Sequence, residues 1–185
     1  MSLLLSLRSL LHAHVPSDGV EASHRKRMIG LLESRGNPCS RGHFQPGHFT
    51  ASAFVLSPAG KDLLLIYHGK LLRWLQPGGH IDPEDLNVVS AARRELREEA
   101  GIEIADLLDG GVPVLDLDVH AIPALRGEPA HEHFDVRIGL RARSRELLAG
   151  SDAQGARWVA LEQVHTCETD DSVLRAVAKL ERRRL

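Results

Sequence analysis

Residues 86–100 carry the strongest helical pattern of the chain, and Gly101 stops it. Val89, Ala92, Leu96 and Ala100 share one side of that helix and predict its core contact. The segments around it have the texture of strands. HFTASAFVLS (48–57) and DLLLIYH (62–68) are apolar and β-prone, separated by the hairpin signal Pro58-Ala59-Gly60. VPVLDLDVHAIPA (112–124) alternates, placing Leu115, Leu117, Val119 and Ala121 on one face and Asp116, Asp118 and His120 on the other. Residues 133–143 alternate too, 156–164 suit a short strand, and 170–183 a closing helix with a basic end. Strands and helices mixed without a regular βαβ cycle suggest an α+β domain or a mixed-sheet sandwich.

Ahead of this region lies a helical stretch. Leucines recur at helical spacing over 3–14, PSDG breaks the pattern, and 20–35 resumes it with Met28, Ile29, Leu31 and Leu32 as a buried stripe. The run His24-Arg25-Lys26-Arg27 reads as the solvated face of the second helix. The opening MSLLLSLRSLLHAHV has no positive charge before its leucines, and Arg8 interrupts the apolar run, so an amphipathic surface helix is expected rather than a signal peptide. The expected organisation is a helical extension over 1–45 followed by a domain over 46–185. The extension would cap the domain or form a dimer surface. With 23 basic and 25 acidic residues the formal net charge is −2, which gives no support for general attraction to nucleic acid or membrane. Cys39 and Cys167 have no metal-type spacing and read as two reduced thiols in a cytoplasmic setting. The ERRR tail (181–184) favours its own helix C-terminus.

The end of the central helix, RRELREEAGI (93–102), breaks local rules. Glu95, Glu98 and Glu99 crowd the carbonyl end, where the helix dipole disfavours carboxylates, and Glu95 faces Glu99 one turn on. Ala91, one turn before Glu95, is short and would leave open space there. Two readings stand side by side at this point. A solvated, salt-bridged face would gain only about 0.2–0.5 kcal/mol from the Arg94–Glu98 pair. A hard divalent cation, which prefers oxygen ligands, would remove the repulsion outright.

Upstream residues extend the pattern to Gly79-x5-Asp85-x8-Arg94-Glu95-Leu96-x-Glu98-Glu99-x-Gly101-Ile102, led in by WLQPGGH (74–80). This resembles the Nudix box, the signature of the Nudix hydrolase family. It departs from that signature at two points: Asp85 stands where the family has Glu, and one extra residue precedes Arg94. Asp82 and Glu84 are the alternatives for the supporting role of Asp85. The resemblance implies an α/β fold, a Nudix-type α/β/α sandwich with a mixed β-sheet, here carrying the helical N-terminal extension.

The resemblance also implies roles. Glu98 and Glu99 would ligate magnesium or manganese, with Glu95 a further ligand or the water-activating base. A carbonyl at Gly78 would add a ligand, Gly79 would let the backbone approach closely, and Arg94 would orient a box carboxylate. The implied chemistry is attack of water on a pyrophosphate phosphorus in a nucleoside diphosphate linked to another moiety, a small-molecule substrate. The rival readings are a non-catalytic nucleotide sensor and isomerase chemistry on an isoprenoid diphosphate. The latter needs a cysteine in the cleft, where neither Cys39 nor Cys167 is expected.

Eleven histidines are many for this length. His131, His133 and Asp135 fall on one strand face, and His120 with Asp118 on the polar face of the preceding strand. They read either as a hydrogen-bonded polar patch or as an ion site, and His120, His131, His133 and Asp135 are candidate substrate contacts. Glu128 and Glu132 are candidates for a loop carboxylate recruited from outside the box. His48, His68 and His80 read as ordinary strand-end or loop residues.

Overall fold

A computed structural model describes residues 2–108, 111, 113–125, 127–148 and 155–182. Arg183 and Arg184 of the basic tail lie outside the described residues. The elements are α1 (Leu3–Ala13), α2 (Gly19–Leu32), β1 (Gly47–Leu56), β2 (Asp62–His68), β3 (Arg73–Leu75), β4 (Gly78–His80), α3 (Val88–Ala100), β5 (Ala105–Leu107), β6 (Val114–Ile122), β7 (His131–Ala142), β8 (Ala156–Ala160) and α4 (Asp171–Arg182). The strand expected over 156–164 ends at Ala160, and Leu161–Thr166 tighten into a 3₁₀ helix. No helix among the described residues is long and apolar enough to cross a membrane.

The strands form one mixed sheet in the order β3-β2-β1-β7-β5, with β4 also on β1, β6 on β7 and β8 on β2. Its centre is the parallel pair β1–β7, in register from Gly47↔Glu132 to Leu56↔Arg141; the other pairings are antiparallel. All ten residues of β1 are buried, because both sheet faces are covered. Phe49, Ala51, Ala53 and Val55 meet Leu7 and Leu11 of α1, Met28 and Leu31 of α2, and Ala92 and Leu96 of α3. Phe54 and Leu56 turn the other way, toward Val173, Ala176, Val177 and Leu180 of α4. The two layers of helix on one sheet are thus an α/β/α sandwich, and the N-terminal helices share the first layer.

Two sequence expectations change. The alternation of 112–124 is interrupted by a bulge between Val114 and Asp116, so Leu115 joins the α4 layer while Leu117 joins the opposite one. The run 24–27 is not simply solvated. His24 Nδ1 meets the Leu117 carbonyl at 3.0 Å, Arg25 donates to the carbonyls of Leu11 and His12, and Arg27 pairs with Glu132.

The polar face of β6 is buried rather than wet, because it faces cations from α4 and β7. Asp116 and Asp118 accept from Arg175 at 2.7 and 2.9 Å, and Lys179 bridges Asp116 to Glu21 of α2. Burial alone would raise the Glu21 carboxyl, but hydrogen bonds from His14, Lys179 and the Ser17 N–H outweigh it and hold its pKa well below the ordinary range. Burial likewise opposes, and His120, Arg137 and Arg175 overcome, at Asp118. A depressed native pKa means the unfolded chain binds more protons, so both contributions are complete above about pH 5 and fade as pH falls below about 4. Urea unfolding between pH 5 and 3 is therefore expected to show stability falling with acid, and Asp118→Asn to flatten that slope. An unchanged slope would remove Asp118 from this account.

Candidate active site

Helix α3 is set by its two ends. The Asn87 side chain accepts from the N–H groups of Val89 and Ser90, Ser90 Oγ accepts in return from the Asn87 N–H, and Gly101 closes the helix at φ 70°. Val88, Ala91, Ala92, Leu96 and Ala100 are buried; Glu95 and Glu99 lie against β4, at Gly79 and the Gly78 N–H, while Glu98 is half exposed. Ala91 therefore fills core instead of leaving space beside the acids, since β1 packs directly against that part of the helix.

Arg94 gathers the site. Its Nη1 donates to Glu95 Oε1 (2.8 Å) and Glu98 Oε2 (3.2 Å), and its Nη2 to the His80 carbonyl (2.8 Å) and Asp85 Oδ2 (3.0 Å). Asp85 also accepts from the Asp82 N–H at 2.9 Å, and Asp82 itself stands 3.4 Å from Arg94 Nε. The shorter acid reaches Arg94 because a turn closed by the Asp85 N–H on the Asp82 carbonyl (3.0 Å) carries it inward.

The glycines admit the carboxylates. The Gly78 N–H donates to Glu99 Oε2 at 2.9 Å. A Cβ on Gly79 would stand 2.6 Å from Glu95 Oε1, and one on Gly78 only 2.4 Å from Ser52 Cβ. Burial raises the Glu95 carboxyl above its usual range and Glu98 adds to this, while Arg94 opposes both. A cleft of about 450 Å³ opens here, lined by Gly79, Asp82, Glu95, Arg41 and Cys39 among others. Cys39 thus does reach the cleft, contrary to expectation, because the connector before β1 folds back over it. Burial pushes its thiol up to about 11, so it stays protonated at neutral pH.

The candidate substrate residues separate. Glu128 is half-buried and pairs with Arg41 at 3.1 Å. Asp135 is buried, accepting from Thr50 Oγ1 (3.2 Å), Ser52 Oγ (2.7 Å) and Arg137 Nε (3.1 Å). His120 lies opposite His133 across β6–β7 and bonds Asp118 at 3.0 Å. His131 Nδ1 meets the Pro129 carbonyl at 2.8 Å. The rings of His131 and His133 stand 5.3 Å apart, and His133 is joined by two residues that the sequence presents as ordinary strand-end or loop histidines. His48 of β1 lies beside it through the parallel pairing, and His80 of β4 reaches it across β1. Burial, then the neighbouring imidazoles, lower His133 to about 2; burial first also lowers His48, to about 4, so these rings are neutral. The only sequence signal for them was the unusual number of histidines.

The family model described as NUDIX domain matches residues 46–179. A NUDIX-family hydrolase from Clostridium perfringens has a similar structure, with TM-score 0.59 and 21% identity over 72% of this chain and 96% of that one. The Ap4A hydrolase of C. elegans in a binary complex gives TM-score 0.53 at 21% identity, covering 72% and 94%. The NUDIX domain of Shewanella oneidensis NrtR complexed with ADP ribose gives 0.52 at 14%, covering 74% and 88%. At such identities the likeness is one of fold. A search of curated proteins found no match.

Proposed function

This chain belongs to the NUDIX domain family, whose model spans most of it, and we propose that it is a metal-dependent pyrophosphohydrolase acting on a nucleoside diphosphate linked to another group. The observation that carries the reading is the meeting of α3 with β4: Gly79 leaves room for Glu95, the Gly78 N–H binds Glu99, and Arg94 ties Glu98 to Glu95. An all-oxygen donor set suits magnesium or manganese. Glu98 and Glu99, with a carbonyl at Gly78, would hold the ion, and Glu95 would be either a further ligand or the base. When bound, the ion supplies neutralisation of the phosphate chain and activation of water.

The chain's own groups do the rest. Glu95, its pKa raised by burial, is suited to take the proton of the attacking water. Arg94 holds Glu95 and Glu98 together, and Asp85 holds Arg94. The sensor reading would be favoured by loss of box carboxylates; only the first is altered here, to Asp85, and that residue still reaches Arg94. The isomerase reading needs a reactive cysteine, and the Cys39 thiol is the opposite of activated.

The test is a hydrolysis screen of the chelator-stripped protein with added magnesium or manganese. Two relatives set its substrate classes, one named for hydrolysing Ap4A and one crystallised with ADP ribose; nucleotide sugars, nucleoside triphosphates and capped RNA complete it. Turnover of at least one diphosphate-linked nucleotide, abolished by chelation, is expected. No turnover in any class with either ion would favour the sensor reading.

Gly79→Ala is expected to lower the rate about 10²-fold, the cost of misplacing a reacting group by about an ångström. Its Cβ displaces only the end of the flexible Glu95 side chain, so the melting temperature should hardly move. Gly78→Ala would instead press on Ser52 Cα at 2.8 Å and disturb the β1–β4 pairing itself. Rates and melting curves of the two variants check the distinction.

A further inference from the structure

We propose that His48, His80 and His133 form a second metal centre, separate from the glutamates of α3, that takes a late first-row divalent ion of the zinc class. The three residues come from β1, β4 and β7, strands far apart in sequence, yet each offers a ring nitrogen, and these nitrogens all lie within 4.8 Å of one another. Ring centroids stand 5.0 Å apart for His48–His80, 4.9 Å for His48–His133 and 5.2 Å for His80–His133. Nitrogens on one tetrahedral zinc ion stand about 3.3 Å apart, so each ring needs to close inward by less than about 1 Å, within reach of side-chain rotation.

A second observation points to a ligand. His48 Nδ1 faces the His43 carbonyl at 3.3 Å. A carbonyl can only accept, so that nitrogen carries the hydrogen and Nε2 bears the lone pair. This is the arrangement in which a backbone carbonyl fixes the tautomer of a metal-bound imidazole. His48 Nε2 is buried and has no hydrogen-bond partner among the described residues, in a residue only 1% exposed. A buried polar atom left unpaired is costly, and a cation would satisfy it.

The site is distinct from the glutamates on geometric grounds. Successive strand residues face opposite sides. Gly79 presents its α-carbon to Glu95, so the His80 ring leaves the other face. On β1, Phe49 and Ala51 join the α3 layer, so His48 faces the same way as His80. Three neutral imidazoles select zinc, cobalt, nickel or copper over magnesium. They leave a fourth position for water.

The test uses the full-length, untagged protein, stripped with a chelator and titrated with cobalt(II) in excess magnesium, which occupies oxygen sites. Visible bands of four-coordinate cobalt at one equivalent per chain, with a rise in melting temperature, are expected. His80→Asn and His133→Asn should each weaken cobalt binding by about 100-fold or more, at or above the loss seen for an outer-shell partner alone. Glu98→Gln should leave the titration unchanged. The proposal is overturned if the native protein shows neither bands nor stabilisation, if the bands survive both histidine variants, or if they vanish with Glu98→Gln. Should His133→Asn not fold, His80→Asn, in a three-residue strand that is half-buried, decides the matter.

Discussion

Glu98→Gln is expected to lower the rate of pyrophosphate hydrolysis by about 10²–10³-fold, the range for removing one group that stabilises transition-state charge, while leaving the melting temperature nearly unchanged. The two halves of this expectation come from different observations. Structurally, Glu98 costs little to replace: its side chain is 52% exposed, and its contact with Arg94 at 3.2 Å is an i,i+4 pair, worth about 0.2–0.5 kcal/mol. Glutamine keeps the volume and one acceptor oxygen. Chemically, the change removes a full negative charge from the end of α3, where the proposed cation needs it. Glu99→Gln would be a less clean experiment, because Glu99 also receives the Gly78 N–H and so helps to set the turn. Glu95→Gln would alter proton transfer and Arg94 at once. Steady-state rates at saturating magnesium, with melting curves in the same buffer, check the prediction. A Glu98→Gln protein that keeps its full rate on every substrate turned over by the native chain would remove Glu98 from the site.

The reason Glu98 could be named from sequence, and His48 could not, is the range of the interactions involved. The three glutamates lie within five residues of one helix, so 3.6-residue periodicity alone puts them near one another. The position of Asp85 was harder, since its reach to Arg94 depends on a turn whose closing bond, Asp85 N–H to Asp82 O, no pattern announces. The histidine cluster depends on which strands pair. Parallel β1–β7 sets His48 beside His133, and antiparallel β1–β4 brings His80 across; pairing of that kind is not written in any local spacing. Alternation in β6 misled for a related reason. It predicts one wet face, but α4 covers that face and a bulge after Val114 moves Leu115 to it. Carboxylates on a covered strand are stable only with cations supplied from elsewhere in the chain, and those sit on β7 and α4, about 20 to 60 residues away in sequence.

Arg137→Met is expected to cost about 3–5 kcal/mol of folding stability, the usual loss when one partner of a buried ion network is removed. That is a large part of the roughly 5–15 kcal/mol available to a domain. Arg137 is 2% exposed and contacts three carboxylates, Asp116 (3.1 Å), Asp118 (3.2 Å) and Asp135 (3.1 Å), while donating to the Ser172 carbonyl (2.8 Å) and hydroxyl (2.7 Å). Methionine fills similar space but leaves Asp116 with Arg175 and Lys179, Asp118 with Arg175, and Asp135 reached by neither cation. Arg137→Lys should fall between, because a single ammonium cannot serve as a planar fork to several acceptors. The effect should also reach the site. Asp135 holds Thr50 and Ser52 of β1, and Ser52 packs against Gly78, whose N–H meets Glu99. Loosening Arg137 therefore loosens β1, the strand with which β4 pairs. Urea unfolding of the three proteins at neutral pH measures the ordering, and a loss below about 1 kcal/mol for Arg137→Met would show that Arg175 and Lys179 suffice to neutralise the face.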